Sequence, residues 1–61
     1  MTIIEALKEG DLRLDSNSNR KWMYWENDVW VVRIQEYRKH TSQIIIETED
    51  EEEAIKHLIE D

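Results

Sequence analysis

Aromatic and β-branched residues crowd the stretch Trp22-Met23-Tyr24-Trp25-Glu26-Asn27-Asp28-Val29-Trp30-Val31-Val32-Arg33-Ile34, in two runs that flank an Asn-Asp pair. Such runs favour strands, and Asn and Asp tolerate the positive φ that a two-residue hairpin turn requires. The pattern predicts a β-hairpin with strands at about 20–26 and 29–37. With Asn27 and Asp28 as the loop, the register follows. Glu26 lies opposite Val29, Trp25 opposite Trp30, Tyr24 opposite Val31, Met23 opposite Val32 and Trp22 opposite Arg33. One face then carries Met23, Trp25, Trp30, Val32 and Ile34. It reads as a core, with Trp25 and Trp30 as a packed pair. The other carries Trp22, Tyr24, Val29, Val31 and Arg33, and it is too apolar for an ordinary solvent face.

The flanking segments supply the remaining elements. Thr2-Ile3-Ile4-Glu5 is a capping box, and Ile3, Ile4 and Leu7 recur at helical spacing before Gly10, the only glycine. A short helix from about Ile3 to Glu9 is expected. Leu12 and Leu14 alternate with charged residues, suggesting an optional extra strand, and Ser16-Asn17-Ser18-Asn19 has the composition of a turn. A further strand runs from Gln43 to Glu47. Its three consecutive isoleucines place Ile44 and Ile46 on the core face and Ile45 beside Trp22, Tyr24 and Val31. Thr48-Glu49-Asp50-Glu51 is a second capping box, opening a helix from about Glu49 to Glu60 with Ala54, Ile55, Leu58 and Ile59 along one stripe. The expected fold is α+β: an antiparallel sheet of three strands, with a fourth as an option. A short N-terminal helix and a longer C-terminal helix pack on one face, in a single domain over residues 1–61.

Size adds a constraint. A chain of 61 residues buries only roughly 60% of its unfolded surface, so small domains rely on some reinforcement. Cysteine is absent, which excludes disulfides and thiolate-held zinc. Self-association through the second face is the remaining common remedy, giving a homodimer with Trp22, Tyr24, Val31, Arg33 and Ile45 at its interface. Coverage of that face by the chain itself, or by a partner or ligand, are the other readings. No apolar run reaches the ~20 residues needed to span a bilayer, and the first residues lack the basic and apolar regions of a signal peptide.

The net charge of −7 is unevenly spread. Residues 44–61 carry eight acids against Lys56 alone, whereas residues 20–43 carry five Lys or Arg against three acids. A field of this kind suits basic protein surfaces better than nucleic acid, so direct nucleic-acid binding is not expected. The acidic run Glu49, Asp50, Glu51, Glu52 and Glu53 is read either as a well-capped, solvated helix start or as a charge mimic of nucleic acid. In the second case its carboxylates compete for Arg and Lys that otherwise hold phosphates. Arg20, Lys21, Arg33, Arg38, Lys39 and His40 are read as solvated strand ends, or as a phosphate pocket in which Arg33 or Arg38 works beside an aromatic platform.

Catalytic chemistry finds little support. His57 lies four residues from Glu53 and from Asp61, yet a histidine near a helix C-terminus is favoured there as a surface cation, and no metal is expected. With one glycine and no cysteine there is neither a phosphate-cradling loop nor a thiol nucleophile, and no cofactor or enzymatic activity is expected.

Two resemblances bear on function. The helix–three strands–helix order resembles the double-stranded-RNA-binding domain over most of the chain. That family holds phosphates with a lysine-rich segment opening its last helix, where this chain has Glu49-Asp50-Glu51-Glu52-Glu53, so only the topology is shared. In size, charge and residue style, the chain resembles small acidic proteins encoded by bacteriophages and prophages. These include anti-CRISPR and Hachiman-inhibiting proteins and inhibitors of host enzymes. That resemblance implies a protein of the bacterial host cytoplasm that inhibits a defence or nucleic-acid-processing enzyme by stoichiometric contact. Two alternatives stand beside it. One is a dimer that sequesters a nucleotide-like signal through Trp22, Tyr24, Arg33 and Arg38; the other is a structural interaction module.

Overall fold

The computed structural model describes residues 12–60. Four strands follow one another: β1 (Arg13–Leu14), β2 (Arg20–Glu26), β3 (Val29–Gln35) and β4 (Gln43–Thr48). They form an antiparallel sheet in which each strand pairs with its neighbour in sequence. Among the described residues a single helix, α1 (Glu51–Ile59), follows and packs on one face. This corrects the expected pair of helices, a short N-terminal and a longer C-terminal one: the described residues hold the C-terminal helix alone. The described fold is a four-stranded meander with one C-terminal helix, and β1 supplies the strand left as an option. The stretch from Ile3 to Glu9, where the first capping box predicts a helix, lies outside the described residues.

The central hairpin has the expected register, from Glu26 opposite Val29 to Trp22 opposite Arg33. Asn27 and Asp28 sit at φ 54° and 64°. Positive φ at both loop residues is the twist-matched geometry of a type I′ turn. Met23 and Val32 lie opposite each other and are fully buried against Ala54 and Leu58 of α1, with Trp30, Ile46 and Ile55 packed around them.

Trp25 departs from its expected place. Its ring meets Trp30 edge-on, with centroids 5.2 Å apart, but Trp25 itself is 52% exposed. The reason is coverage. The helix packs chiefly on β4 and β3 and least on β2, the strand that carries Trp25.

The isoleucine run also departs. The β3–β4 register shifts between Val32 and Arg33, so that Val32 pairs with Ile46 but Arg33 pairs with Ile44. Ile45 is the additional residue of a β-bulge. Ile44 therefore joins the face opposite the helix and is 47% exposed. Ile45 instead sits toward the helix side, in a depression shared with Lys21, Ile34 and His57.

Helix α1 starts later than the second capping box predicts. Asp50 is the N-cap, its carboxylate accepting from the Glu52 amide at 2.9 Å, while the Thr48 hydroxyl accepts from the Asp50 amide at 3.1 Å. Both are short polar side chains that satisfy amides at the helix entry, and Asp50 holds the position next to the first helical turn. At the other end, the Lys21 ammonium donates to the Glu60 carbonyl. A cation is favoured at a helix C-terminus, and this one comes from β2.

Candidate functional site

The chain is electrically polar along the strands. Glu26 and Asp28 border the hairpin turn, Glu47 stands at the end of β4, and Glu49 to Glu53 open α1 beside them. No lysine or arginine occurs in residues 22–32 or 43–55, the segments that run into and out of that end. The opposite end is formed by the β1–β2 loop, the β3–β4 connection and the helix C-terminus. It carries Arg20, Lys21, Arg38, Lys39 and His40 beside Asp15, Glu36 and Glu60. The described residues span 30 × 25 × 16 Å, and the seven residues of β2 place the two ends roughly 20 Å apart.

At the basic end two loops are locked together, and the chemistry begins at Asp15. Its carboxylate accepts from the amides of Asn17 (2.8 Å) and Asn19 (2.9 Å) and from the Asn19 side chain (3.2 Å). The Asp15 amide and carbonyl also bond within the loop, to the Asn19 carbonyl and the Ser18 amide. Burial by itself raises the Asp15 carboxyl. The Asn19 and Asn17 amides, the Asn19 side chain and the Lys21 ammonium 3.9 Å away outweigh it and hold the group below its ordinary value. Lys21 is only 6% exposed. It is a buried strut between this loop and the helix terminus, where the sequence suggests a solvated cation.

Asn19 carries the order onward. Its Oδ1 accepts from the Tyr37 amide at 2.9 Å, tying the first loop to the second. Residues 36–39 form a turn closed by the Lys39 amide on the Glu36 carbonyl at 3.0 Å, and the Gln35 side chain donates to the Lys39 carbonyl at 2.9 Å. Arg38 stands in that turn at φ 65°, and its guanidinium lies 5.3 Å from the centre of the Tyr37 ring.

Between the two loops lies a groove of about 510 Å³. Its floor is the cross-strand row Leu14, Arg20 and Gln35, and its rim is Ser18 on one side and Tyr37 to His40 on the other. Apart from the type I′ turn, the described residues with positive φ are Ser18 and Arg38, and both line this groove. Each left-handed non-glycine residue costs of order 1 kcal/mol and persists only where its surroundings enforce it.

The other sequence-derived candidates scatter. Arg33 lies on the face opposite the helix. Its Nε donates to the Tyr24 hydroxyl at 2.9 Å and its Nη1 to Ser42 Oγ at 3.0 Å. Arg33 and Arg38 thus belong to separate aromatic pairs, with Tyr24 and Tyr37 respectively, and only Arg38 lines the groove. Trp22 and Tyr24 are half-buried on the same face as Arg33. Val31 is 3% exposed, so it is already withdrawn from solvent within one chain. The five acids from Glu49 to Glu53 cluster at the opposite end, where Asp50 is engaged as the helix cap. Among the described residues no three His, Cys, Asp or Glu side chains converge as a metal site, and no helix is long and apolar enough to cross a membrane.

No family model, curated protein or solved structure matches the chain.

Proposed function

We propose that the protein is a small phage-type binding protein acting in the cytoplasm of a bacterial host. It inhibits a nucleic-acid-processing or defence enzyme by stoichiometric contact. The observation that carries this reading is the carboxylate end: acids from the hairpin turn, β4 and the start of α1 gather there, on segments (residues 22–32 and 43–55) that contain no lysine or arginine. Fixed on a short helix and a rigid turn, carboxylates are good acceptors for the Arg and Lys that an enzyme uses to hold phosphates. The face carrying Trp22, Tyr24 and Arg33 suits self-association, which brings two such ends into one particle.

The test is an inhibition panel of purified bacterial nucleases and helicases. The reading expects at least one enzyme to be inhibited at a near-equimolar ratio. Inhibition should weaken as salt rises from 0.05 to about 0.3 M, over which surface charges become increasingly screened. It should also be lost in the variant Glu49→Gln/Glu52→Gln/Glu53→Gln, which spares the Asp50 cap. Inhibition unchanged in that variant, or absent across the panel, would sink the reading.

A further inference from the structure

We propose that the groove at the basic end is a binding site for a nucleotide-sized ligand, holding its phosphate on Arg20, Arg38 and Lys39 and its ring against Tyr37. This site is distinct from the carboxylate end and stands whether or not that end docks on an enzyme.

Arg20 rises from the floor while Arg38 and Lys39 come from the rim, so two different elements bring three permanent cations to one hollow, with His40 beside them. Glu36 is the one carboxylate among the lining residues, leaving the local balance positive. Arginine forks suit phosphate oxygens, and lysine adds a point charge. The same hollow offers apolar surface. Tyr37 is 60% exposed and Leu14 65% exposed, one on the rim and the other on the floor. An aromatic ring with a guanidinium beside it is a stacking platform for a flat, electron-rich base. Cations together with an exposed ring select a ligand that is both anionic and aromatic; inorganic phosphate satisfies only half of the site.

Size and field agree with that choice. The volume, about 510 Å³, falls within the roughly 300–1,000 Å³ of small-molecule pockets and suits one nucleotide. The overall negative charge does not forbid an anion here. The carboxylate end lies roughly 20 Å away along β2, more than two Debye lengths at physiological salt, where the length is about 8 Å.

The groove is also built ahead of any ligand. The Asn19–Tyr37 and Gln35–Lys39 hydrogen bonds fix both loops. The two left-handed residues outside the hairpin turn, Ser18 and Arg38, are held in place on its rim. Glycine accommodates φ 65° without steric strain, whereas an arginine there is held at some cost by the turn around it.

The experiment is a calorimetric titration of the full chain with AMP, ADP, adenosine, inorganic phosphate and a single-stranded oligonucleotide. AMP or ADP should bind one per chain and at least tenfold more tightly than either adenosine or phosphate. Arg38→Gly should abolish binding while raising Tm, because it relieves the turn as it removes the guanidinium. Tyr37→Ala should weaken AMP at least fivefold and leave phosphate unchanged. Lys56→Gln, an exposed helix position outside the groove, should bind normally. No nucleotide binding at millimolar concentration, or full binding by Arg38→Gly, would overturn the proposal. Binding of the oligonucleotide alone would overturn it as well, by assigning the basic end to a nucleic-acid strand.

Discussion

The Asn19 side chain accepts a hydrogen bond from the Tyr37 amide at 2.9 Å, across eighteen residues of sequence. Asn19 is held in turn by the Asp15 carboxylate, through both its backbone and its side-chain amide. Loop order thus passes from Asp15 through Asn19 to the turn that carries Arg38.

Asn19→Ala should therefore act at a distance. It leaves the Tyr37 amide without its acceptor, a loss of about 1 kcal/mol. Amide hydrogen exchange should show faster exchange at Tyr37 and Lys39 with little change at Met23 or Val32. Uniform acceleration through the sheet would mean that the two loops are not coupled in this way.

Asp15 makes stability depend on acid. Its carboxyl is held below the ordinary value in the folded chain, so below an unfolded value of about 3.9 the unfolded state binds more protons. The contribution is complete above that pH and is lost as pH falls through the folded value. Urea unfolding from pH 7 to pH 2.5 should show this loss in the wild type. Asp15→Asn should be less stable at neutral pH and flatter across the acid range.

The bulge in β4 separates two neighbouring isoleucines by function. If copies associate through the face opposite the helix, Ile44→Asp should halve the native mass. Ile45→Asp, on the helix side of the bulge, should leave the mass unchanged. Native mass spectrometry distinguishes them, and equal effects would mean that the interface lies elsewhere.

Trp25 and Met23 share a strand face but not an environment. Met23→Ala opens a cavity at a fully buried site and should cost about 2–5 kcal/mol. Trp25→Ala loses an exposed edge-to-face contact and should cost about 1 kcal/mol. Chemical denaturation of the two variants measures the difference directly.

These contrasts indicate how much of the molecule is legible in its sequence. The hairpin and its register are, because Asn27-Asp28 fixes the turn and alternation does the rest. The faces of β4 are not: three identical isoleucines carry no preference for one side, and the backbone inserts a bulge that exchanges Ile44 with Ile45. The helix is legible, but Thr48 and Asp50 both have capping side chains, and spacing alone does not choose between them. The cations Arg20, Arg38 and Lys39 stand out in the sequence, yet their meeting in a groove depends on the Asp15–Asn19–Tyr37 chain of hydrogen bonds. Lys21 shows the opposite failure. Nothing in Arg20-Lys21 says that one residue is exposed and the other buried against a helix terminus, because that helix arrives thirty residues later.

The meander has a kinetic consequence. Every strand pairs with the one before it, and the helix returns directly onto the strands just formed. Little loop entropy is therefore spent before contacts reward it, a topology associated with folding in milliseconds or faster. The chain also contains no proline, so refolding has no slow prolyl-isomerisation phase. After dilution from denaturant, the sheet and helix of each chain should re-form in a single fast exponential step, with pairing of copies following as a concentration-dependent phase.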